Sequence, residues 1–402
     1  MFMNPNRILQ TMAGAALALA VTATAQAPAA PAAAAPAPAP AAPAPLSTPA
    51  VTGPISWLPP AIFDAGPLGK LSVNGIVTGF SQFQNNPVSG DDTSQATLSN
   101  GQIFIQKADG KFQYFIDAGA YTFPTLSVPY MSAQDTVKNT FGAVPIAFAK
   151  VQAGKTTQIE VGALPTLIGA EGTFTFQNMN IERGLLWNQE NIVNRGVQVN
   201  QTLGKYLTAS FSWNDGFYSG RYNWLTGSLT YVKGPHSLSY QAGGNAGQTL
   251  YSTSATPALQ NNSQMHAVVY TYTKGAWIVQ PYFQYTDVAA NSKLGVDKST
   301  STTGGAILAS YAFKSGFSLP VRFEDISESG SSSVDLLGLG AGSNAVSFTA
   351  TPTYQKGGIY VRADLAETHA STKAFGMTSN SQDQFRAALE FGFIFGNNIT
   401  SK

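Results

Sequence analysis

Residues 153–221 read AGKTTQIEVGALPTLIGAEGTFTFQNMNIERGLLWNQENIVNRGVQVNQTLGKYLTASFSWNDGFYSGR. A short turn at Gly154 and Lys155 leads into TQIEVGA, where Ile159 and Val161 face one way and Gln158 and Glu160 the other, the two-residue period of a strand. A long connection follows, from Leu164 to Arg195, too rich in Gly, Asn and charge for a hairpin. Alternation then resumes as GVQVNQTL, turns at Gly204 and Lys205, and returns as YLTASFSWN. In that last strand Leu207, Ala209, Phe211 and Trp213 form an apolar face, and Thr208, Ser210, Ser212 and Asn214 a polar one. A sheet built this way needs an apolar partner, which a helix layer, a second sheet or lipid could supply.

Composition narrows the choice. Charged residues make up 11% of the 402-residue chain and aromatics another 11%, at a mean hydropathy of −0.02. Ordinary soluble domains carry roughly 25% charged residues. The net charge of +1 gives no reason to expect a nucleic acid. Cysteine is absent, which removes disulfides, thiolate metal sites and a thiol nucleophile. The histidines, His236, His266 and His369, have no ligand spacing. His236 is expected to begin a strand at a short turn, His266 to begin one at the opposite end, and His369 to lie in a loop. None is placed for a Ser–His hydrolase, so the expectation is no enzyme, no catalytic residues, no cofactor and no metal.

The N-terminus carries Arg7, an apolar run from about Met12 to Val21, and the small residues Ala23, Thr24 and Ala25, the pattern of a cleaved secretory signal over residues 1–25. Residues 26–60 are nearly pure Ala and Pro and read as an extended, disordered spacer. Residues 61–395 form the folded unit, and 396–402 a short tail.

From Leu71 onward alternating segments follow one another to the end, about sixteen in number. Short turns and long loops alternate strictly between them. The short turns pair Gly with Lys, as in Lys233 and Gly234, Lys274 and Gly275, or Lys356 and Gly357. Glycine supplies the positive φ of tight hairpins, and lysine blunts the rim. The long loops are rich in Asn, Ser, Thr and Gly. Short turns at one end, long loops at the other and an even strand number are the signature of a transmembrane barrel. No mature segment is apolar enough for a spanning helix, so a closed antiparallel sheet is the spanning solution left. The expected fold is all-β, an up-and-down transmembrane β-barrel of about sixteen strands in the bacterial outer membrane. Strand-end aromatics (Phe83, Tyr121, Trp213, Tyr231, Tyr272, Trp277, Tyr285, Phe313, Phe317 and Tyr354) are expected to form its interfacial girdles.

If the apolar parity faces lipid, the other parity lines a lumen. That places Asp117, Lys150, Glu160, Arg322, Glu324, Arg362, Asp364, Arg386 and Glu390 on the lumen wall, as channel-lining charges, as cross-strand ion pairs, or as both. Sixteen strands enclose more space than side chains fill, so a loop must set the pore size. The third long loop, Leu164 to Arg195, is the longest at about 32 residues. Its Glu171, Glu182, Arg183 and Glu190 are the expected constriction residues.

The run VGALPTLIGAEGTFTF, followed by NMNIERGLLWNQENIVNRGVQVNQTLGKYLTASFSWNDGFYSGRYNW, resembles the OmpL-like β-barrel porin family of Gram-negative bacteria. The resemblance rests on Gly169 to Glu171, Arg195 to Val197 and Asn214 to Gly216, and it covers most of the chain after residue 60. It implies passive diffusion of small polar solutes or ions through a water-filled channel and carries over no site residues. Outer-membrane lipids and the barrel assembly machinery are the further expected partners, and a homo-trimer is one oligomeric form to test. The chain departs from the common barrel ending, because GNNITSK follows Phe395. A closed structural or adhesive barrel acting through its external loops is the alternative function.

Overall fold

The computed structural model describes residues 55–330 and 333–397. The expected signal segment, residues 26–54 of the spacer and residues 398–402 of the tail lie outside them. The chain opens with β1 (Ala61–Asp64) and β2 (Lys70–Gln84), then β3 (Ser94–Lys107), β4 (Phe112–Tyr121), β5 (Ile146–Gln152), β6 (Thr157–Pro165) and β7 (Val193–Thr202). It continues through β8 (Leu207–Asn214), β9 (Trp224–Lys233), β10 (His236–Asn245), β11 (Ser263–Lys274), β12 (Trp277–Val288) and β13 (Thr300–Ala312). The last strands are β14 (Phe317–Ser329), β15 (Asn344–Ala350), β16 (Thr353–Lys356), β17 (Ile359–Ala370) and β18 (Asp383–Phe395).

Each strand from β2 on pairs antiparallel with its neighbour, and β18 closes on β2 from Arg386↔Gln84 to Phe395↔Gly75. Pro352 has no N–H to give a ladder, and the chain breaks there into β15 and β16, which together fill one place between β14 and β17. The result is a closed barrel of sixteen staves. β1 continues the β18 edge of β2 at the short-turn rim, pairing Ala61 with Val73. Closure removes every edge, so all backbone groups of the wall can be satisfied without water. Among the described residues no helix is long and apolar enough to cross a membrane; the one α-helix, α1 (Ala133–Asn139), is a short loop element capped by Ser132.

The parity of the strands sorts the side chains. Phe211, Trp213, Leu389 and Phe391 stand exposed on the outside, and Ser212, Asn214, Ala388 and Glu390 are buried on the inside. Phe83, Trp213, Tyr231, Trp277, Phe313 and Tyr354 are exposed in the manner of girdle residues. Tyr121 is not one of them. It shares the inward parity of Asp117, is fully buried, and donates its hydroxyl to the Gly142 carbonyl at 2.7 Å. His369 also departs from expectation, since it lies within β17 rather than in a loop, facing out beside Asp383 at 2.6 Å. Asp325 and Glu367 face outward as well, towards the long-loop ends of β14 and β17.

Two dry clusters occupy much of the interior. In one, Leu126, Met179, Leu185 and Leu186 of the loops pack on inward residues of β11–β14 such as Val269 and Leu308. In the other, Phe174 and Phe176 of the third long loop pack on Phe104, Phe115 and Phe148 of β3–β5. Trp57 completes the second cluster edge-on, 5.4 Å from both Phe104 and Phe176. The last residues of the expected spacer are therefore packed: Ile55 is buried, and Ser56 exchanges hydrogen bonds of 2.7 Å with Gln355.

Candidate functional site in the barrel interior

Counted from the closure at β2, β6 and β7 are the fifth and sixth staves, and β14 and β15–β16 the thirteenth and fourteenth. The loop joining β6 to β7 reaches that opposite wall, half the ring away. Arg322 of β14 receives it there, holding Glu171 Oε1 at 2.7 Å and the Glu182 carbonyl at 2.7 Å, with its own-strand neighbour Glu324 at 3.1 Å. Glu324 in turn accepts from Leu185 N at 3.0 Å, and Glu171 from Gly184 N at 2.8 Å. Only glycine permits that approach, because a Cβ on Gly184 would lie 1.9 Å from Glu324 Oε1. Burial raises the Glu171 carboxyl above its ordinary range, opposed by the Arg322 charge.

The contacts continue along β17 and β18. Arg362 pairs with Glu390 at 2.6 Å and donates to the Asn178 carbonyl at 3.1 Å, while Thr175 donates to Glu390 at 2.5 Å. Asp364 accepts from Glu182 N at 2.8 Å and from Thr351 at 2.5 Å. Arg386 pairs with Glu182 at 3.1 Å and donates to the carbonyls of Thr125 and Val128 at 2.7 and 2.9 Å. Those carbonyls belong to the second long loop, which also folds inward and which sequence periodicity passes over. Arg183 donates to the carbonyls of Thr173 and Pro124, and its guanidinium lies over Phe123 and Trp187 at 5.5 and 5.2 Å. Burial pushes it down to about 9, still protonated at neutral pH.

The expected site residues thus take different places. Glu182 is fully buried in the loop-to-wall contacts, as are Arg322, Glu324, Arg362, Asp364, Arg386 and Glu390 on the wall side, whereas Arg183 is fully buried between the second and third long loops. Asp117 accepts from Gln102 at 3.0 and 3.1 Å. Lys150 and Glu160 stand opposite each other across β5 and β6, and Glu160 accepts from Gln198 at 3.2 Å. Glu190 accepts a short hydrogen bond from Tyr282, and burial pushes its carboxyl up to about 8. Among the described residues no group of His, Asp or Glu is arranged to hold a metal ion.

Two cavities remain beside the loop. An inner one of about 270 Å³ lies between loop residues 166–173 and the inward faces of β9–β12. An outer one of about 200 Å³ lies among the long loops and includes Glu190. Trp187 and Ile192 line both. The wall of the inner cavity is a set of hydroxyls and amides in cross-strand register, Ser228 opposite Gln241 and Thr230 opposite Ser239. The β9–β12 residues of this wall carry no charge, so the charge pattern of the strands does not mark them; their inward parity is the one signal available.

Solved structures share this architecture at low sequence identity. The outer membrane channel DcaP of Acinetobacter baumannii aligns with a TM-score of 0.56 and 12% identity over 84% of this chain and 100% of that one. Salmonella typhi OmpF, in a complex with daunomycin, aligns at 0.56 and 13% over 81% and 98%. A loop-deletion mutant of Vibrio cholerae OmpT aligns at 0.54 and 10% over 81% and 99%. At these identities the likeness is one of fold, that of outer-membrane porins. No curated protein sequence matches the chain significantly. A family match, however, spans residues 70–395, from the first stave to the end of the last, and by it the chain belongs to the family described as "Putative beta-barrel porin-2, OmpL-like".

Proposed function

We propose that the protein is an outer-membrane porin, a water-filled channel for passive diffusion of small polar solutes and ions, delivered by export with removal of residues 1–25. The observation that carries this reading is a pair of cavities that share Trp187 and Ile192 in their linings, alongside a loop anchored across the barrel; in this reading the two residues form the neck of the route. Glu171 and Glu190 border that route, and Glu182 and Arg183 act from behind it by holding the loop in place. In this reading the wall charges of β14, β17 and β18 serve chiefly as anchors for the loop. The outward apolar band takes up membrane lipid, the barrel assembly machinery reads the terminal Phe391, Phe393 and Phe395, and a homo-trimer is the assembly form. No reaction is assigned.

The test is single-channel conductance of the refolded mature protein in a planar bilayer under a salt gradient. Discrete steps are expected, with a reversal potential reporting the net field of the neck. The dry clusters inside the barrel favour one other reading, a closed barrel acting through its external loops. A silent bilayer from protein shown to be folded would establish that reading and overturn the porin.

A further inference from the structure

The inner cavity has a chemistry of its own. One face is made by Ser228, Thr230, Ser239, Gln241, Thr271 and Gln280, and the face opposite by Leu167, Ala170, Ile192 and the backbone of the loop. Its single titratable lining residue is Glu171, whose charge is already matched by Arg322 at 2.7 Å. Several of the polar groups bond to one another: Thr230 to Ser239 at 3.0 Å, Gln280 Nε2 to Thr271 at 3.1 Å, and Gly169 N to Gln241 Oε1 at 2.7 Å. The accessible groups of this face, Ser228, Thr230 and Ser239 among them, are hydroxyls with no formal charge.

From this we infer that the channel favours neutral polyhydroxylated solutes of about monosaccharide size over charged ones, an inference that rests on the porin reading. A hydroxyl both donates and accepts, so a polyol can exchange its water for Ser, Thr and Gln groups one contact at a time. Its C–H faces match the apolar strip opposite. A carboxylate or ammonium entering the same space leaves water and finds no unmatched counter-charge, and that desolvation is not returned. Selectivity of this kind comes from the donors and acceptors lining the pore.

The experiment is swelling of liposomes carrying the refolded protein in isosmotic glucose, glucuronate or glucosamine, solutes of one ring size and three charges. Glucose should enter several-fold faster than either charged relative. Equal or faster entry of glucuronate or glucosamine, through protein that conducts ions in a bilayer, overturns the inference and leaves the porin intact. No conductance and no swelling overturns the porin reading itself. Gln280→Met and Thr271→Val each remove polar atoms at nearly constant volume. In either variant the glucose-to-glucuronate rate ratio, which is independent of the amount of protein inserted, should fall roughly three- to tenfold. A ratio unchanged in both would show that the hydroxyl and amide wall is not what discriminates.

Discussion

Replacing Arg322 by methionine tests whether the third long loop is held by charge. The guanidinium contacts Glu171 at 2.7 Å, Glu324 at 3.1 Å and the Glu182 carbonyl at 2.7 Å, all in a dry setting. Methionine fills most of the volume and leaves two carboxylates without a cation. Breaking a buried ion pair from one side costs about 3–5 kcal/mol, which raises the undocked population of the loop roughly a hundred- to a few-thousandfold. In a planar bilayer the Arg322→Met channel should show a larger mean conductance and open-state flicker absent from the parent. Acid should reverse this. With the cation gone, the Glu171 carboxyl, already raised by burial, is pushed further up in the docked state. A carboxyl whose docked value exceeds its undocked value gives a docked form that is strongest at low pH and weakens as pH rises through the gap between the two. Lowering the pH from 7 to about 4 should therefore quiet the variant channel. Conductance and noise equal to the parent at pH 7, from a barrel that is folded and heat-modifiable, would refute the anchoring role of Arg322.

Three further outcomes are expected. Gly184→Val places side-chain carbon within 2 Å of Glu324 and should give a flickering, wider channel at neutral pH without the acid rescue, read in the same bilayer. Glu190 holds a carboxyl pushed up to about 8 against Tyr282. Because the docked loop binds that proton and a freed carboxylate of ordinary affinity does not, docking weakens as pH rises toward 8 and then levels off. Conductance measured from pH 6 to 9 should rise and grow noisier through this window in the parent and stay flat in Glu190→Gln. Trp187→Ala opens the neck shared by the two cavities. It should increase the size of the largest sugar that enters liposomes, and an unchanged size limit would place the neck elsewhere.

The staves were legible because lipid and lumen impose a strict two-residue period, and glycine with lysine marks every short turn. Residues such as Leu207 to Asn214 or Arg322 and Glu324 declare their face from sequence alone. What meets that face is another matter. Arg322 and Glu171 are 151 residues apart and Arg386 and Glu182 204 apart, and no local pattern encodes a contact made across a lumen. The second long loop carries no periodic signal, yet two of its carbonyls hold Arg386. Tyr121 has the residue type of a girdle, although its parity with Asp117 points inward. Trp57 followed a low-complexity tract, and its packing depends on Phe176, a residue of the inward loop.

The division of the interior has a physical logic. Where the loop presses on β14, β17 and β18 the space is dry, and a dry region cannot carry unmatched charge. The cations Arg322, Arg362 and Arg386 each hold a carboxylate there, and backbone N–H groups of the loop reach two wall carboxylates, Leu185 N on Glu324 and Glu182 N on Asp364. Hydrogen bonding of the wall carboxylates therefore depends on the conformation of the loop, and the loop conformation on the wall charges. On the far side, β9–β12 present hydroxyls and amides that water or a solute can satisfy one at a time. A substitution of charge on β14, β17 or β18 should thus act on conductance by moving the loop, with changes in open-state noise. A substitution on β9–β12 should act on which solutes pass, with the noise unchanged. Measuring conductance noise and solute preference on the same variants separates the two halves of the barrel.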